Sequence, residues 1–565
     1  MQLSLHSNRV NRFLELFLSV AAAVILAAAC GKEDTGGDGP SPGGEGSVYG
    51  QVTCSKQPVA GVLVSDGIDI TVTDSEGMYH LNSAKRHGYV FVIIPSGYTV
   101  DRGYGNVPQF FKHTAENPST PERLDFRLVA DEGQTNHRML VFGDMHLMNR
   151  NDDLSQFGAV LAEINRYTSD HPMEKIYGLT LGDMTWDIFW GGKSGFGIPE
   201  YLDQTNCFNA LTLFSTVGNH DNDMYKTDDW ECQAQWRKYY GPTYYSFNVG
   251  GIHYISLDNV YTHNSGSGAD GRAYNFKLTD EELSWLRKDL SYVDKSTPVL
   301  VAMHIPLLTS SGGLMNKTSK DMKLADFMAP FEGYDVRFLS AHTHTLYSNN
   351  RTVDGYRIEE YNGGALCCDF WRSGAINPAV LISKDGMPGG YRVLTVDGKD
   401  IKYEYKAIGR ENYLFRSYDR NSIQITPAKY CPNAGPNHKA EFERYTSTFS
   451  TKDSSNAVYV LCWDWREGWT IEISEEGYGA LTPKQVTNYD PLYLISTVAH
   501  ECNAKDKGAF TLDTAPVYNY NMFKCNAHSA ESTVTIKVTD SYGNSRTETM
   551  HRPKVFSLAA YASEK

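Results

Sequence analysis

Five short motifs rich in Asp, His and Asn lie between residues 143 and 344, and each follows an apolar segment typical of a β-strand. Their carboxylate, imidazole and amide groups are ligands that suit manganese, iron or zinc. The motifs are Gly143-Asp144-Met145-His146, Gly182-Asp183-Met184-Thr185-Trp186-Asp187, Gly218-Asn219-His220-Asp221, His304 in Met303-His304-Ile305-Pro306, and His342-Thr343-His344. Because α/β sheets place ligand sites at the carboxyl ends of their strands, the motifs predict one shared metal site.

In this order the motifs resemble those of the calcineurin-like metallophosphoesterase family, G-D-x-H, G-D, G-N-H-D/E, H and G-H-x-H. Ala341 stands where the family usually has Gly. The resemblance implies a metal-dependent phosphoesterase in which a hydroxide bridging two divalent ions (Mn, Fe or Zn) attacks a phosphomonoester or phosphodiester. Phosphoprotein substrates are disfavoured, because Trp186-Asp187 and Asp221 stand where protein serine/threonine phosphatases have other residues.

The resemblance also implies a role for each motif residue. Asp183 would bridge the two ions, and His220 would protonate the departing oxygen or stabilise its charge. Asp221 would orient His220. Asp187 either joins the site or caps a turn, and the sequence leaves both readings open. The remaining predicted ligands are Asp144, His146 and His344 for the first metal, and Asn219, His304 and His342 for the second.

Aromatic and basic residues close to the motifs are candidates for substrate contact. Trp186 and Trp190 lie in or just after the second motif, and Trp371 and Arg372 follow the last His pair. The forked guanidinium of Arg372 is suited to phosphate oxygens. The alternative is that Trp371 packs in a core and Arg372 is only solvated.

The elements that must position these residues change in character along the chain. Apolar strands alternate with helical segments over residues 137–374, which predicts an α/β core, and the resemblance implies a four-layer α+β sandwich. Short β-runs predict two flanking all-β domains, a β-sandwich over residues 47–130 and a C-terminal β domain over residues 375–557. This arrangement resembles a subgroup of exported bacterial members of the family. We expect the C-terminal domain to pack beside the metal cleft.

The first 46 residues are predicted to target and tether the protein. Arg9 and Arg12 precede an apolar run that is shorter than the roughly 20 residues of a membrane span, so residues 1–29 are predicted to be a signal peptide. Three alanines before Cys30 resemble a lipobox, which makes Cys30 the predicted lipidation site and residues 30–46 a flexible tether. The predicted location is the cell envelope, lipid-anchored at the outer membrane, with surface display favoured by Lys32-Glu33-Asp34. A plain secretory signal is the alternative.

The net charge limits the partners. With a formal charge of -15 over 565 residues, the protein repels nucleic-acid duplexes and anionic membranes, so membrane contact is expected only through the lipid anchor. The expected partner is a phosphate-ester substrate, and no particular oligomeric state is predicted. The alternative function is that of a surface-tethered binding or scaffold lipoprotein with an inactive core, and the complete ligand set argues against it.

Overall fold

The computed structural model describes residues 47–562 except 118, 188–194, 210, 316–317, 378–379, 411–412 and 505–514. The predicted signal peptide, Cys30, the tether and Trp190 lie outside the described residues. Among the helices that are described, none combines the length and the apolar character needed to cross a bilayer.

The N-terminal domain is built from short strands, and its buried side chains form one apolar cluster with those of the domain that follows. Alternate residues Val48, Gly50 and Val52 of the first strand point inward, as the two-residue period of a strand requires. The two sheets have the orders β2-β1-β10-β7, with β5 and β9 also paired to β1, and β4-β3-β6-β8. The elements are β1 (Val48–Cys54), β2 (Gln57–Pro58), β3 (Leu63–Ser65), β4 (Ile70–Val72), β5 (Met78–Leu81), β6 (Tyr89–Ile93), β7 (Tyr98–Thr99), a 3₁₀ turn (Tyr104–Asn106), β8 (Phe111–His113), β9 (Glu122–Arg123) and β10 (Phe126–Ala130).

Two large sheets form the core, with the orders β13-β12-β11-β22-β23 and β14-β15-β18-β19-β21-β20, and β16 and β17 form a separate hairpin. Neighbouring strands that carry the motifs run parallel, so their carboxyl ends meet at the same sheet edge. The strands are β11 (Asn136–Phe142), β12 (Lys175–Thr180), β13 (Thr212–Ser215), β14 (Tyr245–Val249), β15 (Ile252–Ser256), β16 (Val260–Thr262), β17 (Tyr274–Phe276), β18 (Val299–Ala302), β19 (Val336–Ser340), β20 (Leu346–Val353), β21 (Tyr356–Gly363), β22 (Gly390–Asp397) and β23 (Asp400–Ala407).

The core has four layers, with a helical layer outside each sheet. Phe214 of one sheet stacks on Phe247 of the other at a ring distance of 3.7 Å, so the inner faces of the two sheets are in contact. On the outer face of the first sheet, Leu140 and Phe142 pack in one cluster with Phe157 of the long helix. The helices are Asp153–Asp170, Ile198–Thr205, Asp229–Cys232, Ala234–Tyr240, Asp280–Ser291, Leu324–Met328 and Arg372–Ile376, with 3₁₀ turns at Asn219–Asp221, Gly268–Gly271 and Ala329–Phe331. The predicted four-layer core is confirmed.

The first sheet extends beyond the boundary that the sequence suggested. Residues 390–407, assigned from the sequence to the C-terminal domain, form β22 and β23 of the core sheet. β22 pairs antiparallel with β11 along six residue pairs from Asn136 to Val141. The physical reason is that β11 would otherwise present an unpaired edge next to the metal-ligand loops. A core that ended at residue 374 would lack two of its five strands in this sheet.

The C-terminal domain contains two four-stranded sheets, β24-β25-β29-β28 and β27-β26-β30-β31. The buried Arg392 of β22 makes a two-pronged ion pair with the buried Asp464 that follows β25, at 2.7 and 2.8 Å, and this pair ties the domain to the core. The elements are β24 (Phe415–Asp419), β25 (Ala457–Cys462), β26 (Thr470–Glu475), β27 (Gly479–Leu481), β28 (Lys484–Asn488), β29 (Asn519–Asn526), β30 (Val534–Thr539) and β31 (Ser545–Met550), helices Pro427–Tyr430, Pro436–Thr446, Pro491–Tyr493, Ala499–Ala504 and Leu558–Ala562, 3₁₀ turns Arg420–Ser422 and Ser447–Phe449, and a π turn Leu494–Val498. Two flanking sheet-rich domains are thereby confirmed.

Candidate metal centre

All five motifs meet at the carboxyl ends of the core strands. Close packing of the loops depends on glycine: a Cβ on Gly182 would lie 2.7 Å from the amide nitrogen of Gly218, and one on Gly218 would lie 2.2 Å from the amide nitrogen of Asp183. Gly182 also has a φ of +91°, which an L side chain rarely adopts. The second and third motifs can therefore approach each other only because both positions are glycine.

Asp183 occupies the central position of the site. Its Oδ2 lies 3.4 Å from Nε2 of His146 and 3.2 Å from Nε2 of His304. Its Oδ1 accepts a hydrogen bond from the amide of His220 at 2.7 Å, so the carboxylate is held in one orientation. One oxygen thus faces both predicted ligand sets, which is the placement that a bridging carboxylate needs.

The first predicted ligand set is assembled around Asp144. The Nε2 atoms of His146 and His344 lie 3.0 Å apart, and Oδ1 of Asp144 lies 3.8 Å from the first and 3.5 Å from the second. Oδ2 of Asp144 accepts a hydrogen bond from the backbone amide of His342 at 2.9 Å. Oδ1 is buried and has no hydrogen-bond partner among the described residues. A buried carboxylate oxygen of this kind fits a metal ligand, because it is costly to bury without a compensating contact.

The second predicted ligand set is assembled around His304. Its Nε2 lies 3.0 Å from Oδ1 of Asn219 and 3.1 Å from Nδ1 of His342. Its Nδ1 is 2.8 Å from the carbonyl of Leu181, to which it donates, so Nε2 presents a lone pair to the site. Three lone-pair donors converge here, and a cation is what such a convergence accommodates.

The electrostatics of the centre favour positive charge between the ligands. Burial would raise the pKa of Asp183, but His304 and His220 lower the pKa well below its usual value. Burial opposes and Asp183 favours the protonated form of His304, with the net effect that its pKa rises to about 9, and a metal ion on Nε2 would take the place of that proton. Burial and His304 lower the pKa of His342 to about 3, which leaves its imidazole neutral and able to act as a ligand.

The backbone at the ligands is held in an unfavourable region. Non-glycine residues with positive φ are uncommon, and each costs of order 1–3 kcal/mol that the surrounding fold must offset. Five of the seven predicted ligands are in this conformation: Asp144 (46°), His146 (43°), Asp183 (53°), His342 (68°) and His344 (55°). The fold therefore holds these side chains in place at a cost in stability.

His220 is oriented by a different acid from the predicted one. Its Nδ1 lies 2.9 Å from Oδ1 of Asp187, which settles the open reading of Asp187 in favour of a place in the site. Arg272 holds Asp187 with two hydrogen bonds, Nε to Oδ2 at 2.8 Å and Nη2 to Oδ1 at 2.6 Å. Arg272 follows no motif and lies 85 residues from Asp187 along the chain, so no local sequence pattern marks it.

Asp221, predicted to orient His220, has a structural role instead. Its carboxylate accepts amide hydrogens from Gly218 at 2.9 Å, Asp183 at 2.8 Å and Met184 at 3.0 Å. It therefore ties the second motif to the third. The prediction was wrong because Asp221 points into the loop backbone, where buried amides need an acceptor.

The predicted substrate residues separate into two groups. Trp371 is fully buried and its Nε1 donates to the carbonyl of Met145 at 2.8 Å, so it belongs to the core and the substrate prediction for it was wrong. Trp186 is half-buried, and its ring centroid lies 5.7 Å from His146 and 5.5 Å from His220. Arg372 is also half-buried and lies over the ring of Phe370 at 5.8 Å.

Comparison with known proteins agrees with this geometry. The family model described as calcineurin-like phosphoesterase matches residues 137–346. The models for the N terminal and the C terminal of calcineurin-like phosphoesterase match residues 46–131 and 360–545. Along the chain, the three matches correspond to the N-terminal companion domain, the core and the C-terminal companion domain.

Individual relatives are distant. Purple acid phosphatase 15 of Arabidopsis thaliana is 24% identical over 278 residues, which are 46% of this chain and 46% of that protein, so the chain spans about half the length of this curated relative. Among solved structures, purple acid phosphatase PPD1 of yellow lupin (Lupinus luteus) has 12% identity and a TM-score of 0.35, covering 49% of this chain and 52% of the other. A dimetal phosphatase of Danio rerio has 10% identity and a TM-score of 0.33, covering 48% and 95%. On its family matches, the chain belongs to the calcineurin-like phosphoesterases, a family of metal-dependent phosphoesterases, and carries both the N-terminal and the C-terminal companion domains.

Proposed function

We propose that the protein hydrolyses phosphate esters, monoesters or diesters, with two divalent ions held by the seven predicted ligands. The observation that carries this proposal is the position of Asp183 Oδ2, 3.4 Å from His146 and 3.2 Å from His304. One carboxylate oxygen that faces two complete ligand sets is the arrangement of a dimetal centre. A surface-tethered binding or scaffold protein would have no need for it.

The chain's own residues have distinct tasks in this reaction. When bound, the pair of ions supplies Lewis acidity and a nucleophile derived from water at neutral pH. Asp144 and Asp183 are held in fixed positions, because a backbone amide donates a hydrogen bond to the second oxygen of each carboxylate. Substrate then meets a centre that needs little reorganisation, which is the main source of electrostatic catalysis.

His220 is the proton donor in this proposal. Asp187 holds Nδ1, so Nε2 is directed away from the acid, and the side chain is 12% exposed at the cleft. A leaving alcohol takes its proton from this nitrogen as the ester bond breaks. Arg272 is a positioning residue that keeps Asp187 in the orientation His220 needs.

The function is tested with the chain beginning after Cys30, stripped of metal by a chelator and then titrated with Mn²⁺, Zn²⁺ or Fe²⁺. We expect hydrolysis of p-nitrophenyl phosphate or bis-p-nitrophenyl phosphate to return as about two ions bind per chain. The better substrate identifies the ester class. Two bound ions without activity on either compound would indicate a narrower substrate, whereas absence of both metal and activity would favour the scaffold alternative.

We further propose that the enzyme is anchored at the cell envelope by lipid on Cys30. The support is the apolar run that ends in three alanines before Cys30, followed by a tether rich in Gly and acidic residues. In a bacterial host that processes lipoproteins, the full chain should sediment with membranes, and Cys30→Ser should release the activity into a soluble fraction. Cys54→Ser is the matched control, and membrane retention of the Cys30 variant would contradict the proposal.

A further inference from the structure

Three basic side chains surround a pair of stacked aromatic rings at one side of the metal centre. Trp186 and Phe370 stack with a centroid distance of 4.5 Å and an angle of 27°. Arg150 lies over Trp186 at 4.5 Å, while Arg372 and Lys384 lie over Phe370 at 5.8 and 5.9 Å. We call these five residues the cationic wall. Only two of the five, Trp186 and Arg372, were predicted from the sequence to contact substrate.

The wall adjoins the first ligand set. The ring of Phe370 lies 4.7 Å from that of His344 and 5.0 Å from that of His146. Trp186 lies 5.5 Å from His220, the proton donor of the proposed reaction. A phosphate ester held at the metals with its leaving group next to His220 would therefore direct that leaving group toward the wall.

The aromatic rings position cations and offer little room for a stacked base. Trp186 is contacted by Phe370 and by the guanidinium of Arg150, both at 4.5 Å, and His344 and His146 pack against Phe370. Cation–π contact of this kind holds a basic group in a fixed position over the ring, and the group keeps its positive charge. The wall is therefore suited to contact a ligand through positive charge and not through stacking.

The rigidity of the wall comes from contacts beneath it. The amide of Arg150 donates to Oδ1 of the buried Asp153 at 2.9 Å, and Asn151 Nδ2 donates to the carbonyl of Phe370 at 3.2 Å. Lys384 Nζ lies 3.8 Å from Oδ1 of Asp369, whose Oδ2 accepts the hydroxyl of Tyr493 at 3.1 Å. Strand ends, a core loop and the C-terminal domain therefore all help to position it.

Like charges are brought together here in a protein that is acidic overall. Burial and the neighbouring Arg372 lower the pKa of Arg150 to about 10, so Arg150 stays charged at neutral pH. The chain as a whole carries a formal charge of -15. A local concentration of positive charge beside the centre attracts an anion and stabilises it once bound.

We propose that the cationic wall binds a second anionic group, a carboxylate or phosphate, on the leaving-group side of the substrate. The proposal rests on the phosphoesterase function proposed above and narrows its substrate class. The substrate is a phosphate ester with two anionic groups, and the metals bind the phosphate that is cleaved while Arg150, Arg372 and Lys384 bind the other. Charge-assisted hydrogen bonds of this type make the doubly anionic ester the better substrate.

Two matched pairs of substrates test the proposal by their kcat/KM. Glycerate 3-phosphate is compared with glycerol 3-phosphate, and fructose 1,6-bisphosphate with fructose 6-phosphate. We expect at least one doubly anionic compound to be preferred by about tenfold or more. The first pair tests a carboxylate and the second a phosphate. Equal rates within both pairs would overturn the proposal.

Variants assign the preference to the wall. In Arg372→Gln and Arg150→Gln we expect the preference to fall to about twofold, with unchanged melting temperature and metal content. Arg357→Gln, at an exposed arginine with a 73% exposed side chain on β21, should keep the full preference. The assignment would be overturned if the preference survived in both wall variants. This includes the case in which kcat/KM falls by the same factor for both members of each pair.

A binding measurement separates failure of the wall from failure of the proposed function. Calorimetry compares 3-phosphonopropanoate with propylphosphonate, which differ by one carboxylate and are not hydrolysed. Tighter binding of the first, by about tenfold and lost in Arg372→Gln, supports the wall even if no ester is turned over. Equal affinity, with propane-1,3-diylbisphosphonate also binding no more tightly than propylphosphonate, would overturn the inference even if nitrophenyl esters are cleaved.

Discussion

Replacing Asp183 with Asn is expected to reduce kcat/KM by about a thousandfold and to lower the metal content of the protein. Its Oδ2 faces both ligand sets, and an amide cannot supply the negative charge that two cations share. A two-metal centre contributes several kcal/mol to catalysis, and each 1.36 kcal/mol is about tenfold in rate. The change keeps the shape of the side chain, and the Asn oxygen can still accept the His220 amide, so the fold should persist.

Elemental analysis and initial rates on the same samples check this prediction. Asp354→Asn is the matched control, because Asp354 is exposed in the turn between β20 and β21 and has a positive φ that Asn also tolerates. It should retain two ions and full activity. An Asp183→Asn protein that holds both ions and hydrolyses nitrophenyl esters at the normal rate would contradict the bridging role.

Replacing His220 with Gln is expected to lower kcat by about 10²–10⁴-fold on alkyl phosphates and by much less on nitrophenyl phosphate. An alkoxide needs a proton as it leaves, whereas nitrophenolate departs readily without one. Metal content should not change, because the imidazole of His220 is not in either predicted ligand set. The measurement is kcat for a series of phosphate esters whose leaving groups differ in basicity.

Arg272→Gln provides an internal comparison for this series. Loss of the guanidinium leaves Asp187 less firmly held, so we expect the same dependence on leaving group with a smaller amplitude. His113→Gln, which removes an exposed histidine of β8, is the matched control and should leave the rates unchanged. Equal losses on alkyl and nitrophenyl esters in the His220 variant would contradict its assignment as the proton donor.

The metal ligands could be predicted from the sequence because each of them follows a recognisable apolar strand segment. An apolar run followed by Gly-Asp or Gly-Asn marks the end of a buried strand, and parallel strands bring such ends together. The structure places Asp144, Asp183 and Asn219 where this reasoning expected them, at neighbouring strand ends of one sheet. The four-layer core was accessible in the same way, from the alternation of strands and helices.

The parts that were missed depend on contacts between distant segments. The Arg272–Asp187 contact joins residues 85 positions apart, and neither the type nor the spacing of Arg272 marks it. Asp221 was misread because a sequence motif does not specify whether a side chain faces the cleft or the backbone of its own loop. Trp371 was misread for a related reason, since an aromatic residue beside a motif can equally fill the core beneath it.

The late strands of the core sheet affect the order in which the protein can fold. β11 precedes its partner β22 by about 250 residues along the chain, so its edge stays unpaired until β22 emerges from the ribosome or from an export channel. The N-terminal domain can close during that interval, whereas the catalytic core cannot. An unpaired strand edge is a template for association with other chains, so the interval before β22 emerges exposes the incomplete protein to aggregation.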